Sequence, residues 1–348
     1  MNEKQLEEIR EHLEKAQNPL FYYDNDADGL CSFLLFRRFL NRGKGVAIRS
    51  YPDLNKEYAR RARELNADYV FVLDKPLVSK EFVDEVIGMG LPLVWIDHHD
   101  MKETDEIKKE GLFVYNSAKN VKKGQEGGEP VSYLSYNVTK RKEDVWIALM
   151  GCISDHYLPD FASEFAKEYP ELWNKKVKKP FDVYFETEIG EIALALNFGL
   201  MNSTTKIVEL QKYLTNCKNP KDVLAEVKEN LGFREKYIEI KKKYEGFVRK
   251  AEENVEGKLI FFEYAGDLSI SSEIANAIYY KYPERYIVVA YKKGNVSNLS
   301  IRGKKVRGIL ENILKKVDGK GGGHEDAVGA RIKVDDLQKF REAFEEEI

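Results

Sequence analysis

The stretch FYYDNDADGLCS, residues 21–32, sets Asp24, Asp26 and Asp28 on alternate positions and is punctuated by Gly29. Three carboxylates so close together repel one another unless a cation sits among them. The residues before them, PLFYY, have strand length, and those after them, LCSFLLFRRFLNRG, have the apolar spacing of a helix that stops near Gly43. The acids therefore lie where a strand hands over to a helix. DYVFVLDKP (68–76) and LPLVWIDHHD (91–100) are further apolar runs of strand length, and each ends in Asp or His. Between them SKEFVDEVIGMG reads as a helix with Ser79 as its N-cap. Strands alternating with helices predict a parallel sheet, which gathers ligands at the carboxyl ends of its strands. The apolar run IALMGCISD ends in Asp155 and reads as one more such end.

Which cation fits follows from the donors. D-x-D-x-D-G opens a calcium-binding EF-hand loop, but that loop needs a bidentate Glu at its twelfth position, and Leu35 falls there. Asp74, Asp97, His98, His99 and Asp155 add carboxylates and imidazoles and no thiolate. That mixture favours manganese or magnesium over softer ions. More acids than one ion requires suggests two divalent ions sharing a bridging Asp, an arrangement that activates water against a phosphorus centre. A lone buried Asp or His is more often structural; a set converging on one sheet edge is not explained that way.

Together, DNDADG, Asp74, the Asp97-His98-His99 triplet and Asp155 resemble the four motifs of the DHH phosphoesterase superfamily. GGGHEDAVGA (321–330) and NLSIR, with Ser300 and Arg302, resemble its DHH-associated C-terminal domain. The D-x-D-x-D-G form is similar to RecJ and to archaeal RecJ-like nucleases such as the Hef-associated type; the chain length is nearer that of nanoRNases. The resemblance implies that Asp26 and Asp74, with Asp24, hold one metal and that Asp28, His98 and Asp155 hold the second, with Asp74 bridging. It implies that His99 orients phosphate or donates a proton, and that Asp97 steadies a histidine without binding metal. It also implies a substrate grip made by Ser300, Arg302, Gly321, Gly322, Gly323 and His324. One position departs: many members carry His where this chain has Tyr22. The implied activity is a manganese-dependent exonuclease on single-stranded DNA or RNA. The alternatives are hydrolysis of short oligonucleotides or of cyclic or phosphorylated nucleotides, and a non-catalytic replication or repair accessory. A helicase or replisome component is the kind of partner such relatives suggest.

The 348 residues suffice for two domains. The expected architecture is a mixed α/β chain. A parallel-sheet catalytic domain spans 1–215 with a helical insertion at 160–215, a helical connector spans 216–256, and a smaller α/β substrate domain spans 257–348. Three cysteines without a CxxC pair argue against a disulfide scaffold or a thiolate zinc site. The opening residues read as an amphipathic helix and not a signal peptide, and no apolar run has spanning length, so the cytoplasm is the expected home and no membrane is involved. Residues 281–320 carry eleven Lys/Arg against three acids, a local charge of +8 in a chain of net charge −3. Such a run suits a polyanion, although a solvated lysine-rich surface has the same composition. KNVKKGQEGGEP (119–130) reads as a glycine-rich loop.

Overall fold

The computed structural model describes residues 1–50, 53–99, 107–120, 128–253, 255 and 257–348. Most of the glycine-rich loop (121–127) and Asp100 lie outside the described residues. The mixed α/β class is as expected, and the chain divides into two compact units, Met1–Tyr237 and Ile238–Ile348. The division falls inside one helix, Leu231–Glu252.

In the first unit five strands form a parallel sheet: β1 (Pro19–Asp24), β2 (Lys44–Ile48), β3 (Tyr69–Leu73), β4 (Leu93–Asp97) and β5 (Leu112–Asn116). Their order is β2-β1-β3-β4-β5. β3 and β4 are buried along their whole length, which is why they read as unbroken apolar runs and not as alternation. β2 and β5 went unread because their exposed and half-buried residues dilute that signal. The strand order reverses between β1 and β3, and such a switch point leaves a crevice at the strand ends. Asp24 ends β1, and Asp74 directly follows β3.

The helix after β1 begins at Ala27, capped by Asp26, whose carboxylate accepts from the Gly29 amide at 2.9 Å. Gly29 is required by closeness: a Cβ there would lie 2.5 Å from the Asp24 carbonyl oxygen and 2.9 Å from its nitrogen. The helix thus turns straight back onto the strand that feeds it. Gly29→Ala is expected to cost on the order of 1–3 kcal/mol, because backbone must move; urea unfolding measures it, and an unchanged midpoint would remove this account of the glycine.

Asp155 departs from expectation. IALMGCIS is not a strand but lies in a buried helix, Val145–Ser154, and Asp155 follows its last turn. Small and apolar residues suit a helix buried on all sides as well as a strand, and periodicity alone does not separate the two.

The second unit holds β6 (Leu259–Ala265), β7 (Tyr286–Lys293), β8 (Val296–Arg302), β9 (Gly319–Gly323) and β10 (Ala327–Lys333), ordered β9-β10-β8-β7-β6. One face packs on the helices Val306–Ile313 and Leu337–Glu347 through Leu299, Ile301, Val328, Leu310 and Phe340. Helix Ser271–Lys281 packs against β7 and β8. The glycine triplet, part of the substrate grip that the resemblance implies, is an extended edge strand paired with β10.

Candidate metal centre

Side chains from four separated stretches meet at the switch point. Asp28, Asp74, His98 and Asp155 each offer a ligand atom, and these atoms lie within 4.8 Å of one another. Asp74 and His98 also form an overlapping group with His99. His98 Nε2 lies 3.1 Å from Asp155 Oδ2 and 3.2 Å from Asp74 Oδ1. Yet Nε2 and Oδ1 are both buried and make no hydrogen bond. Buried polar atoms without partners are rare. Two of them aimed at one point, among carboxylates, fit a divalent ion.

The local backbone explains each placement. Asp28 is wholly buried in the first turn of its helix and accepts from the Val131 and Ser132 amides at 2.8 and 2.9 Å. Those are free N–H groups at the start of helix Val131–Thr139, where negative charge is favoured. Asp74 adopts φ +57°, a left-handed conformation that Asp tolerates better than most residues. Its amide still donates to the Ile96 carbonyl at 2.9 Å, which ties the β3 exit to β4. Asp155 keeps 26% of its side-chain surface exposed and opens the cluster to solvent.

The remaining predicted residues lie around this core. Asp97 is buried and holds His99 twice, accepting from the backbone amide at 3.0 Å and lying 2.9 Å from Nδ1. Asn116, at the end of β5, donates to Asp97 at 3.3 Å and to the His99 carbonyl at 2.9 Å. His99 Nδ1 lies 4.0 Å from Asp74. Asp24 and Asp26 belong to neither ligand group among the described residues. Asp26 caps its helix. Asp24 pairs at 3.1 Å with Lys75, whose ammonium also donates to the Ser50 carbonyl at 3.1 Å and is 2% exposed. Tyr22 is buried in the sheet core and donates to the Tyr58 carbonyl, so it adds nothing to the cluster.

Lys75 and Asn116 were missed in the sequence. Lys75 follows Asp74 directly, and a cation beside strand-end acids was the available signal. Asn116 ends a strand as the acids do, but that strand was not recognised. Lys75 answers part of the charge problem posed by DNDADG; the rest remains in the cluster. Burial, then repulsion from Asp24, Asp155 and Asp28, raises Asp26 well above the usual carboxylate range. Burial and the Asp155 charge push Asp28 up to about 6. Burial and the Asp26 and Asp28 charges raise Asp74. Burial alone would lower His98, but its contacts with Asp155 and Asp74 outweigh that and raise it. Burial works to raise Asp155 too, but contact with His98 leaves it lowered. A cluster that holds its protons this tightly is short of positive charge.

In the second unit, strand register places three of the other predicted residues, Ser300, Arg302 and Gly322, on one sheet face. Leu299, Ile301, Val328 and Ala330 point into the core, so Ser300, Arg302, Gly329 and Arg331 face the other way. Gly322, Gly329 and Ser300 align across the sheet as a row almost without side chains. On one side of that row lie Lys320 and Arg331; on the other, Arg302 aligns with Ala327, whose carbonyl accepts from the His324 amide. Gly321 and Gly323 are structural: a Cβ would meet the Gly329 and Ala327 carbonyls at 2.7 and 2.6 Å, and Gly323 has φ +142°. A Cβ on Gly322 meets nothing within 4 Å.

Arg302 is fixed by Asn276 and Ser272 at 2.6 and 2.9 Å, and Ser300 pairs with Ser271 at 2.9 Å. Burial, opposed by the Glu273 charge, lowers Arg302 to about 10, which still leaves it charged at neutral pH. The +8 segment is less exposed as charge than its composition implied. Lys281, Lys292, Arg307 and Lys316 pair with Glu252, Glu263, Glu311 and Glu346.

The family model of the DHHA1 domain matches residues 257–348. No curated protein sequence matches the chain. Among solved structures, RecJ from Thermus thermophilus in complex with Mn2+ is 15% identical with a TM-score of 0.68, covering 99% of this chain and 54% of that one. The chain thus spans about half the length of the Thermus protein. An exonuclease RecJ bound to manganese is 18% identical with a TM-score of 0.65, covering 99% of this chain and 94% of that one. The pGpG-specific phosphodiesterase PggH from Vibrio cholerae is 12% identical with a TM-score of 0.52, covering 95% and 99%. No helix among the described residues is long and apolar enough to cross a membrane. With its DHHA1 match over residues 257–348, its parallel-sheet first unit and its separate second sheet, the chain has the two-domain fold of the RecJ structures.

Proposed function

We propose that the chain is a manganese-dependent phosphodiesterase that removes nucleotides from an end of single-stranded nucleic acid. The observation that carries this reading is the convergence of Asp28, Asp74, His98 and Asp155, with Asp74 Oδ1 and His98 Nε2 unpartnered, at the switch point of a parallel sheet. Asp28, Asp74, His98 and Asp155 would hold one ion. Asp74, common to both ligand groups and with two carboxylate oxygens, would bridge to a second. Divalent ions bound there supply water of lowered pKa and neutralise charge on a phosphate. The protein's own part is orientation. Asp97 fixes the His99 ring so that it can hold a proton toward the leaving oxygen, and Asn116 fixes Asp97. On the second unit, the bare row Gly322–Gly329–Ser300 lets a sugar-phosphate chain approach the sheet, with Lys320, Arg331, Arg302 and His324 flanking it.

The test is hydrolysis of DNA and RNA ladders labelled at the 5′ or 3′ end, in manganese. Stepwise shortening from one end is expected, and Gly322→Val should raise KM about tenfold or more with kcat little changed, since Val fits the strand but covers the row. Internal cuts, or turnover confined to dinucleotides, would overturn the exonuclease reading. An unchanged KM in Gly322→Val would remove the row from substrate binding.

A further inference from the structure

We infer that a cavity on the β2 edge of the first sheet is a second anion site, built for a polyphosphate-bearing ligand such as a nucleoside triphosphate. The cavity has a volume of ≈ 920 Å³, at the upper end of the range for small-molecule sites. Eight Lys and Arg residues line it, and no Asp or Glu does. Four of the eight are already engaged. Arg38 and Arg141 share Asp144, Arg61 pairs with Glu64, and Arg49 donates to the Asn202 carbonyl.

The other four, Arg37, Lys44, Lys212 and Lys218, make no ion pair among the described residues. One Arg37 guanidinium nitrogen is also buried without any hydrogen-bond acceptor. A buried charged donor is costly to leave unmade, and burial already works against the Arg37 charge. An anion in the cavity beside Arg37 would favour its charged form. Four unpaired cations call for several adjacent negative charges, which phosphates supply and a single carboxylate does not. Phe33, Val46, Ile207 and Val208 give the same cavity an apolar wall, which suits a nucleobase. The exposed strand edge here, Lys44–Ala47, is short for addition of a peptide strand, which makes an acidic peptide the weaker occupant. Beyond the cavity β2 leads to Ser50, whose carbonyl accepts from Lys75, so the site adjoins the acidic centre through the chain itself.

Calorimetric titration of the full, chelator-treated chain tests this, because without metal the acidic centre offers phosphate nothing. ATP and inorganic tripolyphosphate should bind at one per chain, and adenosine should not bind. Arg37→Ala and, separately, the exposed Lys212→Glu should each weaken ATP binding about tenfold or more while leaving melting temperature and manganese-dependent hydrolysis unchanged. Gly322→Val should leave ATP affinity as it is. The proposal is overturned by absence of ATP and tripolyphosphate binding, by undiminished affinity in Lys212→Glu, or by a polyglutamate peptide binding more tightly than ATP.

Discussion

Asp74→Asn is expected to lower hydrolysis on the order of 10³-fold and, in the absence of metal, to raise the melting temperature. The two effects share a cause. Asp74 belongs to both overlapping ligand groups, so an amide in its place removes an anionic ligand from each. Without metal, the same carboxylate is buried against Asp26 and Asp28, and neutralising it relieves repulsion. Asn is the right replacement because it tolerates the left-handed backbone at this position, whereas Ala would add strain of about 1–2 kcal/mol and blur the stability readout. Metal content measured by mass spectrometry should fall with activity. Wild-type turnover, or an unaltered metal content, would take Asp74 out of the centre.

The second large effect is a manganese-dependent gain in stability that grows with pH. Asp28, Asp26, Asp74 and His98 all have raised pKa values in the metal-free fold. For the acids, the unfolded chain releases its protons first, so their favourable contribution is complete only below about pH 4 and is lost as pH climbs through about 6 for Asp28. The His98 contribution is complete below its ordinary value and is also lost as pH rises. Lowered Asp155 acts in the opposite sense, but only below the usual carboxylate range. Metal-free protein should therefore lose stability from about pH 4 upward, while the ion binds better once its ligands are deprotonated. Saturating manganese should add about 4 kcal/mol at a thousandfold excess over Kd near pH 7.5 and far less near pH 5. Thermal unfolding with and without manganese at both pH values measures this; an equal gain at both would dissociate the cluster from metal binding.

How much of this was legible in the sequence differs from residue to residue. β1, β3 and β4 were readable because burial on both faces writes continuous apolar runs, and their ends announced the site. Asp155 was placed in the cluster for the wrong local reason, since an all-buried helix and a strand share one composition. Asp28 was found, but not its partners: the amides of Val131 and Ser132 lie more than a hundred positions away and carry no side-chain signature. The glycine triplet was noticed as part of a substrate grip, yet its strand character depends on β10, whose contribution, Gly329 and Arg331, becomes visible only through register. Lys75 was passed over because a lysine beside an aspartate usually belongs to a solvated surface. The basic run at 281–320 misled in the other direction, because sequence counts charges and does not show which carboxylates return to them.

The twisted backbone at Asp74 also bears on how such a centre can decay. From an aspartate codon, single-base changes reach asparagine, glycine, alanine, valine, glutamate, histidine and tyrosine. Asparagine and glycine are the two that accept this backbone most readily. A lineage released from selection for hydrolysis would keep its architecture by drifting to one of them, and would remain a well-folded protein that no longer cuts.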